Sequence, residues 1–194
     1  MKLSFIKPVF TLVAGLFLST NVLAAPETFT LDPSHTYVQW NIKHLGFSNQ
    51  SGKWYASGTL VLDQEQPADS KVNVTIDLTK MITGLPELDK HLKGKQFFDV
   101  AKYPKATFVS DKVTLTGKET AKVEGTLTLH GVSKPVMLDV KLNQEGPNPI
   151  TTKRTVGLSA TAIIKRSDFG MTTLIPALSD EVELDIEAEA YQDK

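Results

Sequence analysis

The sequence of 194 residues contains no cysteine. That absence excludes disulfides, zinc–thiolate centres, thiol catalysis and a lipidated N-terminal cysteine. Surplus charge is lacking too. Lys and Arg total 21 against 22 Asp and Glu, a formal net charge of −1, so no basic field is present to hold nucleic acid. Twelve glycines and ten prolines are too few for a low-complexity or collagen-like chain. No apolar run reaches the roughly 20 residues of a membrane-spanning helix, so no stable membrane span is expected. There is no G-x-S-x-G elbow, no H-E-x-x-H and no glycine loop to cradle a phosphate. A non-catalytic protein without a cofactor is the expectation.

What is present begins with an address. Lys2 and Lys7 precede the apolar stretch Val9 to Leu18, and Val22-Leu23-Ala24 places small side chains where a signal peptidase reads. This is the layout of a secretory signal peptide over residues 1–24, cleaved after Ala24. An uncleaved anchor is the alternative, but about ten apolar residues are too short to span a bilayer. Removing 24 of the 194 residues leaves 170, a domain over residues 25–194 that is long enough to fold by packing alone. The expected location is the periplasm, reached across the inner membrane.

The rest of the chain alternates with period two, the mark of strands with one buried face. Val38, Trp40 and Ile42 alternate with polar residues, and Trp54, Ala56, Gly58, Leu60 and Leu62 keep one parity. The pattern returns at Val72 to Leu78, at Ala106 and Phe108, at Val113 and Leu115, and at Val123 to Leu129. It closes with Val136 to Leu142, Val156 to Ile164 and Val182 to Ala188. Thr116-Gly117-Lys118, Gly131 with Pro135, and Gly146-Pro147-Asn148-Pro149 separate the runs. Pro86 to Leu92 reads as a short helix, opened by proline and stopped by Gly94.

Such strands form a sandwich or a barrel; their length and short turns favour an all-β, closed, antiparallel up-and-down barrel of about eight strands, with the helical segment over one end. The inward parity supplies the candidate tunnel lining. It comprises Val38, Trp40 and Ile42, then Trp54, Ala56 and Leu60, then Val74 and Ile76. Phe108, Leu127 and Leu138 follow, with Leu158, Ala160 and Ala162 from the next run. Ala56, Gly58, Gly125, Ala160 and Ala162 are small, and volume left unfilled on that face invites a guest, unless the small groups only fit the barrel's taper. A barrel in an outer membrane would reverse the faces, putting Glu183, Asp185, Glu187 and Glu189 into a narrow lumen, which disfavours it.

Several segments together resemble the YceI-like family. They are Asp32-Pro33-Ser34-His35, His44-Leu45-Gly46-Phe47-Ser48, Asp89-Lys90-His91-Leu92, and Phe97-Phe98-Asp99-Val100-Ala101-Lys102-Tyr103-Pro104. Gly125 to Val136 and Arg166-Ser167-Asp168-Phe169-Gly170-Met171 complete the set, in family order. The resemblance implies a periplasmic, lipocalin-like barrel, a polyisoprenoid chain threaded through it, and a homodimer.

The polar residues leave alternatives open. No pair among His35, His44, His91 and His130 has metal-ligand spacing, so no metal site is expected. His44 and Phe47 end a strand where a rim contact with ligand is conceivable, whereas His130 before Gly131 reads as a turn residue. Arg166, Asp168 and Phe169 form either a polar clamp for a head group at the mouth or an Arg–Asp tie within a loop. Phe97, Phe98 and Tyr103 are expected to pack the helical segment over a barrel end. The functional expectation is binding, transport or sequestration of a long isoprenoid lipid, such as a polyprenyl compound or isoprenoid quinone. The alternative is a secreted carbohydrate-binding module using Trp40, Trp54 and Tyr55 as a sugar platform.

Overall fold

The structure is a computed structural model that describes residues 25–193. The segment 1–24, with its expected cleavage point at Ala24, lies outside the described residues. Nine strands follow one another: β1 (Glu27–Leu31), β2 (Tyr37–His44), β3 (Ser48–Leu62), β4 (Lys71–Asp77), β5 (Lys105–Leu115), β6 (Thr120–Leu129), β7 (Val132–Pro147), β8 (Arg154–Lys165) and β9 (Glu181–Tyr191). One α-helix, α1 (Pro86–Leu92), interrupts them between β4 and β5, on the residues expected from the sequence.

All pairings are antiparallel, and they close on themselves. From β2 the order runs β9, β8, β7, β6, β5, β4, β3, and β3 pairs back with β2. The result is a barrel of eight staves built from nine strands, because β1 and β2 share one stave. Leu31 faces Gly58 on β3 while Tyr37 faces Tyr55, and on β9 the same two residues face Ala190 and Glu187. Both segments run the same way, separated by a break at Asp32–Thr36. Thr36 mends the break on the β9 side, exchanging bonds of its hydroxyl with the backbone of Glu189 at 3.2 and 3.3 Å.

β1 has no counterpart in the sequence reading, although Phe29 and Leu31 alternate inward and are fully buried. The two separate runs expected around Phe108 and Val113 are a single strand, β5. A bulge between Ser110 and Lys112 inserts one residue, so the even parity of Phe108 and the odd parity of Val113 reach the same face. β7 is longer than expected, running through Gly146 to Pro147, with a bulge between Leu142 and Gln144. Two hairpins turn on left-handed pairs, Leu45–Gly46 and His130–Gly131, where the first position tolerates the strain and the second is glycine.

The outer face carries Glu183, Asp185 and Glu187, all exposed, and the inner face is apolar. That is the inverse of a barrel with a lipid-facing exterior. At one end lie the β2–β3 and β6–β7 hairpins, α1 with the segment to Pro104, and the loop from Arg166 to Asp180. At the other lie the β3–β4, β5–β6 and β7–β8 connections with the start of β1 and the end of β9.

Candidate ligand-binding site

The barrel encloses a cavity of about 560 Å³, within the range of small-molecule sites. Of the side chains read as lining, Val38, Trp54, Ala56, Leu60, Val74, Ile76, Phe108, Leu127, Leu138, Leu158 and Ala160 face it. Three others, Trp40, Ile42 and Ala162, do not. Trp40, Leu184 and Ala162 stand opposite one another across β2, β9 and β8, and this layer is where the hollow ends. Trp40 lies over Gly52, whose missing side chain makes the room, since a Cβ there would come within 2.4 Å of the indole. Ile42 is one layer further down, packed into the core.

Below that layer the molecule is solid. Trp54 tilts against Trp40 at 6.3 Å between ring centroids, and Phe98 meets Trp54 edge-on at 5.5 Å. Leu78, Met81 and Phe169 are fully buried beneath. The expected plug of the helical segment is therefore the cavity floor. The Nε1 atoms of Trp40 and Trp54 are buried there without a hydrogen-bond partner among the described residues. Both indoles are under a tenth exposed, so no tryptophan platform faces solvent for a sugar. The small residues divide likewise. Ala56 and Ala160 do border the hollow, but Gly125 is filled by the ring of Phe108, and Gly58 admits the backbone of Asn73.

The opening is at the opposite end from the helix, which relocates the rim. His44, Phe47, Arg166, Asp168 and Phe169, all read as head-group contacts, sit at the closed end and none faces the cavity. Phe47 projects from its hairpin tip, 90% exposed, and Asp168 is exposed. Arg166 is buried, and its guanidinium gives four bonds to backbone carbonyls: Nε donates to Ser179 at 2.9 Å, Nη1 to Met171 and Thr173 at 3.0 and 2.7 Å, and Nη2 to Leu178 at 3.0 Å. Burial pulls its pKa down, partly opposed by Asp180. Arg166 ties the loop, then, but through carbonyls and without Asp168. Asp180 takes the acidic part, accepting bonds from the Ser167 N–H and hydroxyl, which hold its carboxyl below the usual range.

The real mouth is polar and was not read from the sequence. Asp63, Gln64, Lys71, Lys118, Glu119 and Glu145 ring it. Asp63 is buried and accepts the N–H groups of Glu65 and Gln66. Arg154 bonds both Glu27 and Glu145 and lies over the Phe29 ring, and Gln64 also donates to Glu145. Glu27 is two residues before inward Phe29, and Arg154 two before inward Val156, so charge at inward parity was a usable signal. Glu145 was hidden by the β7 bulge.

Outside the barrel, Asp32, His35 and Glu189 bring potential metal-ligand atoms within 4.8 Å of one another. Only the pairing of the broken stave with β9 assembles them, so no linear spacing shows the trio. His35 Nδ1 bonds Asp32 at 2.8 Å, which with Glu189 raises its pKa above the usual histidine value. His130 lies in a turn, bonding the Phe169 carbonyl and packing at a tilt against Tyr103. Glu87, Lys90, His91 and Lys95 edge a shallow polar cleft beside α1.

Comparison with known proteins adds to this geometry. Protein YceI of Salmonella arizonae is 41% identical over 186 residues, covering 95% of this chain and 96% of its own. The Campylobacter jejuni YCEI protein superposes with a TM-score of 0.70 at 34% identity, over 78% of this chain and 90% of its own. A polyisoprenoid-binding domain from Saccharophagus degradans shares the fold, with a TM-score of 0.66 at 16% identity, over 85% and 98% of the two chains. The model of the YceI-like domain matches residues 29–190, from the buried start of the broken stave to the end of the strand that closes the ring, and the chain belongs to that family.

Proposed function

We propose that this protein binds a long isoprenoid lipid in the barrel cavity, as a non-catalytic periplasmic carrier or sequestering protein. The observation that carries the reading is the apolar hollow, floored by Trp54 and open at one end only. Each methylene that leaves water for such a lining gains about 0.8 kcal/mol, so a prenyl chain is held without any strong polar contact. The polyisoprenoid-binding domain of like fold supports the same ligand class. Periplasmic residence rests on the secretory layout of residues 1–24. A homodimer, implied by the family resemblance, belongs to the same reading and is measured by light scattering on the purified protein.

The geometry offers catalysis little: Arg166 gives four bonds to backbone carbonyls at the closed end, and Asp168 lies away from the cavity. Organic extraction of purified protein followed by mass spectrometry tests the proposal. Release of a prenyl lipid is expected; repeated recovery of stable, lipid-free protein from the native host would overturn it.

A further inference from the structure

Inward-pointing charges near the mouth of an apolar tunnel are tolerated where they pair with one another, and such a pair then sets what polar group can approach. Three pair at that end of the barrel: Glu145 of β7, which lines the cavity, and Glu27 of β1 and Arg154 of β8 beside it, with side chains about a third exposed or less. They join strands on either side of β9, and Arg154 lies over Phe29. The guanidinium is already shared between two carboxylates, and Gln64 reaches Glu145 from the β3–β4 loop. An arginine is the natural fork for a phosphate, but this one is occupied. Lys71 and Lys118 are exposed and line the same opening as Asp63 and Glu119. Four carboxylates thus face three cations around the rim.

Building on the proposed lipid-binding role, we propose that Glu27, Arg154 and Glu145 act as a head-group filter, admitting isoprenoid chains with an uncharged hydroxyl or carbonyl end and rejecting prenyl phosphates. A diphosphate approaching Arg154 must displace a carboxylate or sit against two of them. A hydroxyl or carbonyl needs neither: both accept from the Gln64 amide, a hydroxyl also donates to Glu145, and the ion pairs stay intact.

The test compares geranylgeraniol with geranylgeranyl diphosphate, which share a tail and differ in charge. Trp54 fluorescence reports occupancy, since its indole borders the cavity. Delipidated wild-type protein is expected to bind the alcohol at least about tenfold more tightly than the diphosphate. The Glu27→Gln/Glu145→Gln variant frees the guanidinium, and its preference is expected to move toward the diphosphate by about tenfold or more. Glu145→Gln alone keeps the Glu27 pair and is expected to move part of the way, which preserves the test if the double variant does not fold. Equal or tighter binding of the diphosphate by wild type, or an unchanged ratio in a folded variant, overturns the filter. Binding of both ligands without discrimination removes the filter and leaves the carrier; binding of neither removes both.

Discussion

Phe98 meets the indole of Trp54 edge-on, with ring centroids 5.5 Å apart and planes at 84°. This contact helps to join the segment after α1 to the inside of the barrel, alongside Val100, and it supports the floor of the hollow. Phe98→Ala removes the support beneath Trp54. The variant is expected to lose about 2–3 kcal/mol of stability, below the full cost of a buried Phe because Phe98 is only half-buried. The cavity should deepen, so thermal melts read the loss while mass spectrometry of extracted lipid reads a shift toward longer chains.

Ala160 borders the hollow and Gly125 does not, so one substitution at each should part company. Ala160→Phe is expected to fill the lumen, keep the β-sheet circular dichroism signal and reduce extracted lipid several-fold. Gly125→Phe drives a side chain into Phe108 and the Val109 carbonyl, both within 2.6 Å of a Cβ at that position, and is expected to impair folding itself. Full lipid content in folded Ala160→Phe protein would show that the side chain points elsewhere.

Arg166 answers four carbonyls of the 171–179 loop. Arg166→Met leaves four buried or part-buried carbonyls without this partner, and on the order of 3 kcal/mol of stability should go in denaturant unfolding. Head-group preference in whatever folded protein is recovered is expected to stay at the wild-type ratio, because the residue sits at the closed end.

Asp32 raises the pKa of His35 through their hydrogen bond, with Glu189 adding to it. In an NMR titration His35 is expected to lose its proton above the ordinary histidine value, and Asp32→Asn should bring it back down. The sign for stability follows. The folded protein binds this proton more tightly than the unfolded chain, so the contribution is complete below the unfolded histidine pKa and fades as pH rises through the folded value. A His35 that titrates at or below its model-peptide value removes the effect.

Much of the architecture was legible because its signals are local. Alternation marks a strand wherever one face is buried, and Pro86 with Gly94 brackets α1 without help from distant contacts. What escaped depended on register. The bulge at Ser110–Lys112 reverses parity within β5, and the one at Leu142–Gln144 turns Glu145 inward, so counting by twos misplaces everything beyond it. Arg166 illustrates a different gap. An arginine near an aspartate after a strand fits a clamp or a tie equally well, and only the course of the following loop shows its donors consumed. Which end is open was not legible for the same reason, since alternation says which face is greasy and nothing about which end is stoppered.

The stave that β1 and β2 share is locked on one side by β9, the last of the described strands in chain order. Until β9 is in place, the other strands form a curled sheet with its oily side uncovered and two naked edges. No guest can be gripped at that stage, since a trough lacks the far wall that would shut water out. Loading is thereby postponed until β9 has closed the ring, and the interval before then is when such a chain most needs protection from its own kind.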